Sequence, residues 1–152
     1  MSEIRIVHDY PHSPATVWHA VTDPDVVPRW TATGRGGRPV GFAPTVGNRF
    51  QLVARPVPGW RGVVDCEVLA ADAPHLLRYS WLGDEGGDVL MVTYRLEPVA
   101  GGTRFTYEHT GFTGVGGFVM ARLLGRVRAT MLTTGLPPVL VALDAGAAAG
   151  GS

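Results

Sequence analysis

The sequence predicts an α+β domain in which a curved antiparallel sheet of six to seven strands wraps around a long C-terminal helix. Residues 59–69 and 76–82 alternate apolar and polar side chains, as a hairpin with one buried face does. Residues 117–134 place apolar side chains three and four apart, which is typical of an amphipathic helix. Because no other long helix is predicted, this one has to cover the apolar face of the sheet.

The composition narrows the function classes. A chain of 152 residues is one domain, and 13 Lys and Arg against 13 Asp and Glu leave no net charge. We therefore expect neither nucleic acid nor an acidic membrane as a partner. Cys66 is the only cysteine, which excludes an internal disulfide and fits a reducing compartment. With no apolar run of signal or membrane-spanning length, the sequence predicts a cytoplasmic protein.

The N-terminal third predicts one strand and two short helices. Glu3 to Tyr10 alternates like a strand, and Ser13-Pro14 is a helix start in which serine caps and proline occupies the first turn. Thr22-Asp23-Pro24 repeats that signal for a second short helix that ends near Trp30. Residues 31–48 hold five Gly and two Pro, so we expect a long loop that covers a site.

The remaining elements follow the same patterns. Strands are predicted at 49–55, 89–97 and 103–110, which with the first strand and the opening hairpin makes six. Gly135 is predicted to end the long helix, and Pro137-Pro138 to open a further segment through Leu143 after a bend. Residues 144–152 are predicted to form a disordered Gly/Ala tail that follows a single domain of residues 1–143.

Several short motifs carry a family resemblance over residues 4–143. The chain resembles the SRPBCC superfamily, also called START-like or birch-pollen-allergen-like, and within it the branch of activator of heat-shock-protein-90 ATPase homologues and polyketide cyclase-like proteins. The resemblance implies a helix-grip fold with a cavity between the sheet and the last helix, but it implies no particular reaction. The matching segments are Ser13-Pro14 with Val17-Trp18, Thr22-Asp23-Pro24 to Trp30, Val46 to Phe50, Pro58 to Leu69, Tyr79-Ser80-Trp81, Leu96-Glu97-Pro98, Gly102-Thr103-Arg104 and Glu108 to Phe112.

The residues predicted to face inward form a mostly apolar ligand pocket with a few hydroxyl and imidazole groups. The alternative for each of them is an ordinary place in the core, which aromatic residues commonly fill. The set is Tyr10, Trp30, Phe50, Val64, Cys66, Tyr79, Trp81, Tyr94, Phe105, Tyr107, His109, Met120, Leu124, Val127 and Met131.

His109 is the candidate catalytic residue, because it follows Phe105 and Tyr107 on one strand face. The alternative is a buried neutral histidine that bonds to backbone or to a tyrosine hydroxyl. No two histidines stand four apart on one predicted helix, and Cys66 lacks an electropositive setting, so we predict no metal, no cofactor and an inert thiol. The glycines of residues 111–117 match neither the spacing of the dinucleotide-binding motif nor that of the P-loop. They are predicted to form a hinge before the helix.

Five arginines are interpreted as solvent-facing, which is the usual position of this residue. A role for one of them in binding a carboxylate or phenolate stays open. They are Arg35, Arg38, Arg122, Arg126 and Arg128.

Three functions follow from these observations. The first is binding of a small, largely hydrophobic or aromatic molecule in the predicted cavity. The second is a polyketide cyclase-like enzyme or self-resistance protein that acts on an aromatic natural product, with Tyr79, Tyr107 and His109 orienting it or transferring protons. The third is an interaction protein that stimulates a chaperone ATPase. Formation of a homodimer is a further possibility that the sequence leaves open.

Overall fold

A computed structural model of the chain describes residues 2–31, 38–54, 56, 58, 62–83 and 88–150, with residues 147–150 described by their backbone alone. The predicted roles of Arg35, of residues 59–61 and of the turn at 84–87 lie outside these residues. The elements in chain order are β1 (Ser2–Tyr10), α1 (Pro14–Thr22), α2 (Val27–Thr31), β2 (Arg38–Val40), β3 (Arg49–Val53), β4 (Val63–Asp72), β5 (Leu76–Leu82), β6 (Leu90–Val99), β7 (Gly102–Phe112), α3 (Gly114–Thr130), a π-helical turn (Met131–Gly135) and α4 (Leu136–Gly150).

The strands form one seven-stranded antiparallel sheet in the order β1-β7-β6-β5-β4-β3-β2. The sheet curves around the long C-terminal helix, with the two short helices after β1, so the predicted fold class is confirmed. The seventh strand is β2, which lies inside the segment predicted to be a loop. Its pairing with β3, in which Pro39 lies opposite Leu52, forms despite the local helix and strand breakers.

The predicted hairpins provide the inner face of the sheet. Cys66 pairs with Trp81 and Val68 with Tyr79 across β4 and β5, and a β-bulge follows Val68. In the next hairpin Tyr94 lies opposite Tyr107. Alternate residues of these strands therefore line one buried surface, as the alternation predicts.

The C-terminal helix runs further than the sequence predicts and continues through the predicted break. The prediction that the helix ends at Gly135 is wrong, because the π-helical turn joins α3 directly to α4. The prediction of a separate segment that begins at Pro137-Pro138 is also wrong. Both prolines fall in the first turn of α4, where proline is tolerated. Tyr10 donates a hydrogen bond of 2.6 Å to the Leu132 carbonyl and so fixes β1 to the π-helical turn.

Helix α4 also passes the predicted start of the disordered tail. It continues through Gly150, in keeping with the high helix propensity of its alanines. Within it, Asp144 Oδ1 accepts a 2.9 Å hydrogen bond from Thr16 Oγ1, and Asp144 also contacts His12. These contacts join the C-terminal helix to α1, whose start at Ser13 is capped as predicted.

No helix in the described part of the chain has the length and apolar character needed to cross a bilayer.

Candidate functional site

Most of the predicted pocket residues lie together on the inner face of the sheet and on the helices against it. Trp81, Leu124 and Val127 are half-buried. Those that are buried are Tyr10, Trp30, Phe50, Val64, Cys66, Tyr79, Tyr94, Phe105, Tyr107, His109 and Met131.

Met120 is the exception, since 48% of its surface is exposed, so its inward placement is wrong. The side of α3 that packs on the protein is defined by Ala121, by Gly125, which lies against Ile4, and by Arg128. These positions are four and three residues apart and so lie on one face of the helix, whereas Met120 lies beside that face.

Arg128 was predicted to be solvated, and the structure corrects this, because only 8% of its surface is exposed. Its Cζ atom lies 5.5 Å from the centroid of the Trp81 ring and 5.8 Å from that of Tyr107. Its Nη1 atom is 3.4 Å from the sulfur of Met131. Arg128 stands three residues before Met131 and four after Leu124, so spacing alone places it on the inward stripe. The usual exposure of arginine concealed this signal.

The charge of Arg128 has no buried counterpart among the described residues. The buried polar and charged side chains of the described chain are otherwise five threonines and His109, and none of them is a carboxylate. Burial lowers the pKa of the guanidinium, while Tyr107, Tyr79 and Tyr94 raise it, with a net upward direction. The side chain is therefore charged at neutral pH, and an unpaired buried charge carries a desolvation cost of several kcal/mol.

His109 lies beside this arginine and is completely buried. Its ring centroid is 4.9 Å from that of Trp81, and its Nδ1 atom is 3.2 Å from the Tyr107 hydroxyl. Burial, followed by the positive charge of Arg128, lowers the pKa of His109 to about 3. The imidazole is therefore neutral at physiological pH, as the alternative interpretation of this residue predicts.

Two buried nitrogen atoms of this cluster have no hydrogen-bond partner among the described residues: Arg128 Nε and His109 Nε2. The Arg128 guanidinium lies 5.8 Å from the centroid of the Tyr107 ring, and its positive charge lowers the pKa of Tyr107 against the upward effect of burial. Because this charge attracts the Tyr107 oxygen, we assign the hydroxyl hydrogen to the 3.2 Å bond with His109 Nδ1. The remaining proton of the neutral imidazole then lies on Nε2. Both unpartnered atoms are therefore donors.

The other polar groups on this face are neutral. The hydroxyls of Tyr79 and Tyr94 lie 3.3 Å apart, and burial raises the pKa of both. Burial also raises the pKa of the Cys66 thiol to about 12, so the thiol is not a nucleophile at neutral pH. Within the described ranges, no three His, Cys, Asp or Glu side chains come together as metal ligands.

Of the segment predicted to cover the site, residues 31–48, residues 32–37 lie outside the part that the structure describes. Beyond them, the Phe42 ring packs edge-on against Phe50 at 4.8 Å between centroids. Phe50 in turn contacts Tyr79 at 5.3 Å. This row of rings extends the aromatic surface from the site to the edge of the sheet. A lid function for residues 31–48 stays a prediction.

A curved antiparallel sheet around one long helix, with two short helices after the first strand, defines a helix-grip protein. Residues 11–122 match the model of the family described as Activator of Hsp90 ATPase homolog 1-like protein. The chain belongs to this family.

Solved structures show how widely the fold is shared. Protein MLL2253 from Mesorhizobium loti is 27% identical, with a TM-score of 0.72 over 93% of this chain and 96% of the other. CalU16 from Micromonospora echinospora is 22% identical, with a TM-score of 0.63 over 97% and 86%. An HSP90 activator from Plasmodium falciparum is 20% identical, with a TM-score of 0.67 over 95% and 97%. No curated protein matches this chain in sequence.

Proposed function

We propose that this protein binds a small, largely hydrophobic or aromatic molecule between the inner face of the sheet and the C-terminal helix. The observation that carries this proposal is the pair of buried, unpartnered donors of Arg128 and His109 within an aromatic surface. Buried polar groups are nearly always hydrogen-bonded, so a site that leaves two unsatisfied is suited to an additional acceptor. Ligand sites typically combine apolar walls with a few converging polar groups.

Binding fits these groups better than proton transfer does. The pKa of His109 is lowered to about 3 and that of Tyr107 is raised to about 12, whereas an efficient acid or base titrates near the working pH. A cyclase-like role for His109 therefore receives less support than a role in orienting a ligand.

The proposal is tested by thermal unfolding and calorimetric titration with three aromatic or aliphatic carboxylates and their amides: 2-naphthoate, cinnamate and decanoate, with 2-naphthamide, cinnamamide and decanamide. At a ligand concentration of one hundred times Kd, binding stabilises the fold by about 2.7 kcal/mol, which raises Tm by several degrees. Absence of a Tm shift and of binding heat for all six compounds would contradict the proposal.

The Trp81→Leu variant tests the location of the site. Trp81 contacts both Arg128 and His109, so its loss should weaken binding of the naphthyl compounds about tenfold by removing one aromatic contact surface. Trp18→Leu is the matched control, because Trp18 is a half-buried tryptophan on α1. Equal weakening in both variants would place the ligand elsewhere.

A further inference from the structure

The interior of this protein holds one positive charge for which the described chain supplies no negative partner. Arg128 is more than nine-tenths buried, and the described ion pairs all involve other side chains. Two aromatic rings face the guanidinium, and cation–π contacts repay part of the cost of burying it. They do not provide the acceptor that its Nε–H group lacks.

The second unpartnered donor lies beside the first. The Trp81 ring contacts both the Arg128 guanidinium, at 5.5 Å, and the His109 ring, at 4.9 Å. Tyr107 also contacts both side chains, through its ring and through its hydroxyl group. Two donors that share the same two neighbours are suited to two oxygen atoms of a single group. This arrangement matches a carboxylate, whose oxygens accept from planar donors.

The balance of charge selects the kind of acid. A monoanion neutralises the single guanidinium, whereas a doubly charged phosphate would leave one negative charge buried among aromatic rings. The residues around the cluster, such as Phe112, Met131 and Cys66, offer apolar surface for the body of the molecule.

From this geometry, and resting on the proposed function, we infer that the ligand is a monocarboxylic acid. Its carboxylate accepts from Arg128 and His109, and its apolar or aromatic body lies along the inner face of the sheet.

The test compares each carboxylate with its own amide, since the two members of a pair share a skeleton and differ in charge. Titrations of 2-naphthoate against 2-naphthamide, of cinnamate against cinnamamide and of decanoate against decanamide give the ratio of Kd values for each pair. In at least one pair we expect the Kd of the carboxylate to be lower than that of the amide by a factor of about ten or more. A charge-assisted hydrogen bond contributes enough binding free energy to give this ratio.

Variants at the arginine assign the preference to a residue. Arg128→Met keeps the aliphatic part of the side chain and removes the guanidinium with its charge, so it should lose the preference for the carboxylate over the amide. Arg128→Lys keeps the charge and should retain part of the preference. Arg126→Met is the matched control, because Arg126 is an exposed arginine on the same helix and should leave the ratio unchanged. Circular dichroism establishes that each variant is folded.

The outcomes separate the two proposals. Binding of both members of each pair with equal affinity overturns the carboxylate assignment and leaves the apolar site in place. A preference that survives in Arg128→Met also overturns the assignment. If no compound binds, the proposed function and this inference fail together.

Discussion

At the scale of single residues, the described interior carries chemistry that is unusual for a core. Arg128 is charged and His109 is neutral, although the two side chains share aromatic neighbours. Burial penalises the charged form of each side chain, and this keeps the His109 imidazole neutral. Only arginine has a pKa high enough to stay protonated there. With this unpaired buried charge, the protein is less stable than it would be with an apolar side chain at the same position.

Replacing Arg128 by Met should therefore stabilise the protein without added ligand by about 1 to 3 kcal/mol, since it removes an unpaired buried charge and retains the packing of the aliphatic part of the side chain. Urea unfolding measures this change. Arg126→Met should alter stability by no more than about 0.5 kcal/mol, as exposed substitutions usually do. Destabilisation by Arg128→Met would show that the guanidinium is already satisfied in the folded chain.

The pKa of His109 gives the fold a defined dependence on acid. The unfolded chain binds a proton at this residue below pH 6.5, whereas the folded chain binds it only near pH 3, so the stabilisation is present above pH 6.5 and is lost as the pH falls. Between pH 7 and pH 4 the loss should be about 3 kcal/mol. His109→Gln removes this contribution, and urea titrations should show a shallower pH dependence. Equal slopes in the two proteins would contradict the prediction.

At the scale of the elements, the alternation of the strands could be read from the sequence, and this is why Tyr79, Tyr107 and His109 were found. The ends of the helices could not be predicted equally well. Gly135 is a common helix terminator, yet here it is buried inside the π-helical turn, where tertiary packing prevails over local preference. Strand β2 was missed for the same reason, because Pro39 conceals a strand that its pairing with β3 stabilises.

The contact between β1 and the π-helical turn gives a prediction for Tyr10. Tyr10→Phe removes the hydrogen bond to the Leu132 carbonyl and leaves that acceptor without its partner, which should cost about 1 to 3 kcal/mol of unfolding free energy. Thr133→Ala is the control, because the Thr133 hydroxyl bonds to a carbonyl in the same segment but is exposed, so its loss should cost less than about 0.5 kcal/mol. Equal costs would show that the buried bond contributes no more to stability than the exposed one.

At the scale of the whole molecule, the overall fold was more predictable than the site. The order of strands and helices and the family motifs predict the sheet and the helix against it. The candidate site depends on Arg128 and His109, and the environment of Arg128 is assembled from three separate strands and a helix. No local pattern carries that information, although the i, i+3 and i+4 spacing around Arg128 pointed inward.

The link between the two ends of the chain is testable through Asp144 and Thr16, which are 128 positions apart. Asp144→Ala should lower the unfolding free energy by about 1 kcal/mol, because a part-exposed hydrogen bond to a carboxylate is lost. Combining it with Thr16→Val in a double-mutant cycle should give a coupling of about 0.5 kcal/mol or more. Strict additivity of the two changes would contradict a direct bond.

The position of β1 beside β7 determines when the sheet can be completed during synthesis. Strand β1 is synthesised before residues 102–112, which form its partner in the described sheet, so its pairing waits until that later segment has been made. Helix α3 and the π-helical turn, which bury Arg128 and accept the Tyr10 bond, emerge later still. A topology rich in such distant pairings folds slowly and exposes apolar strands while it does so. The cluster of Arg128 and His109 is therefore among the last parts of the protein to form during synthesis.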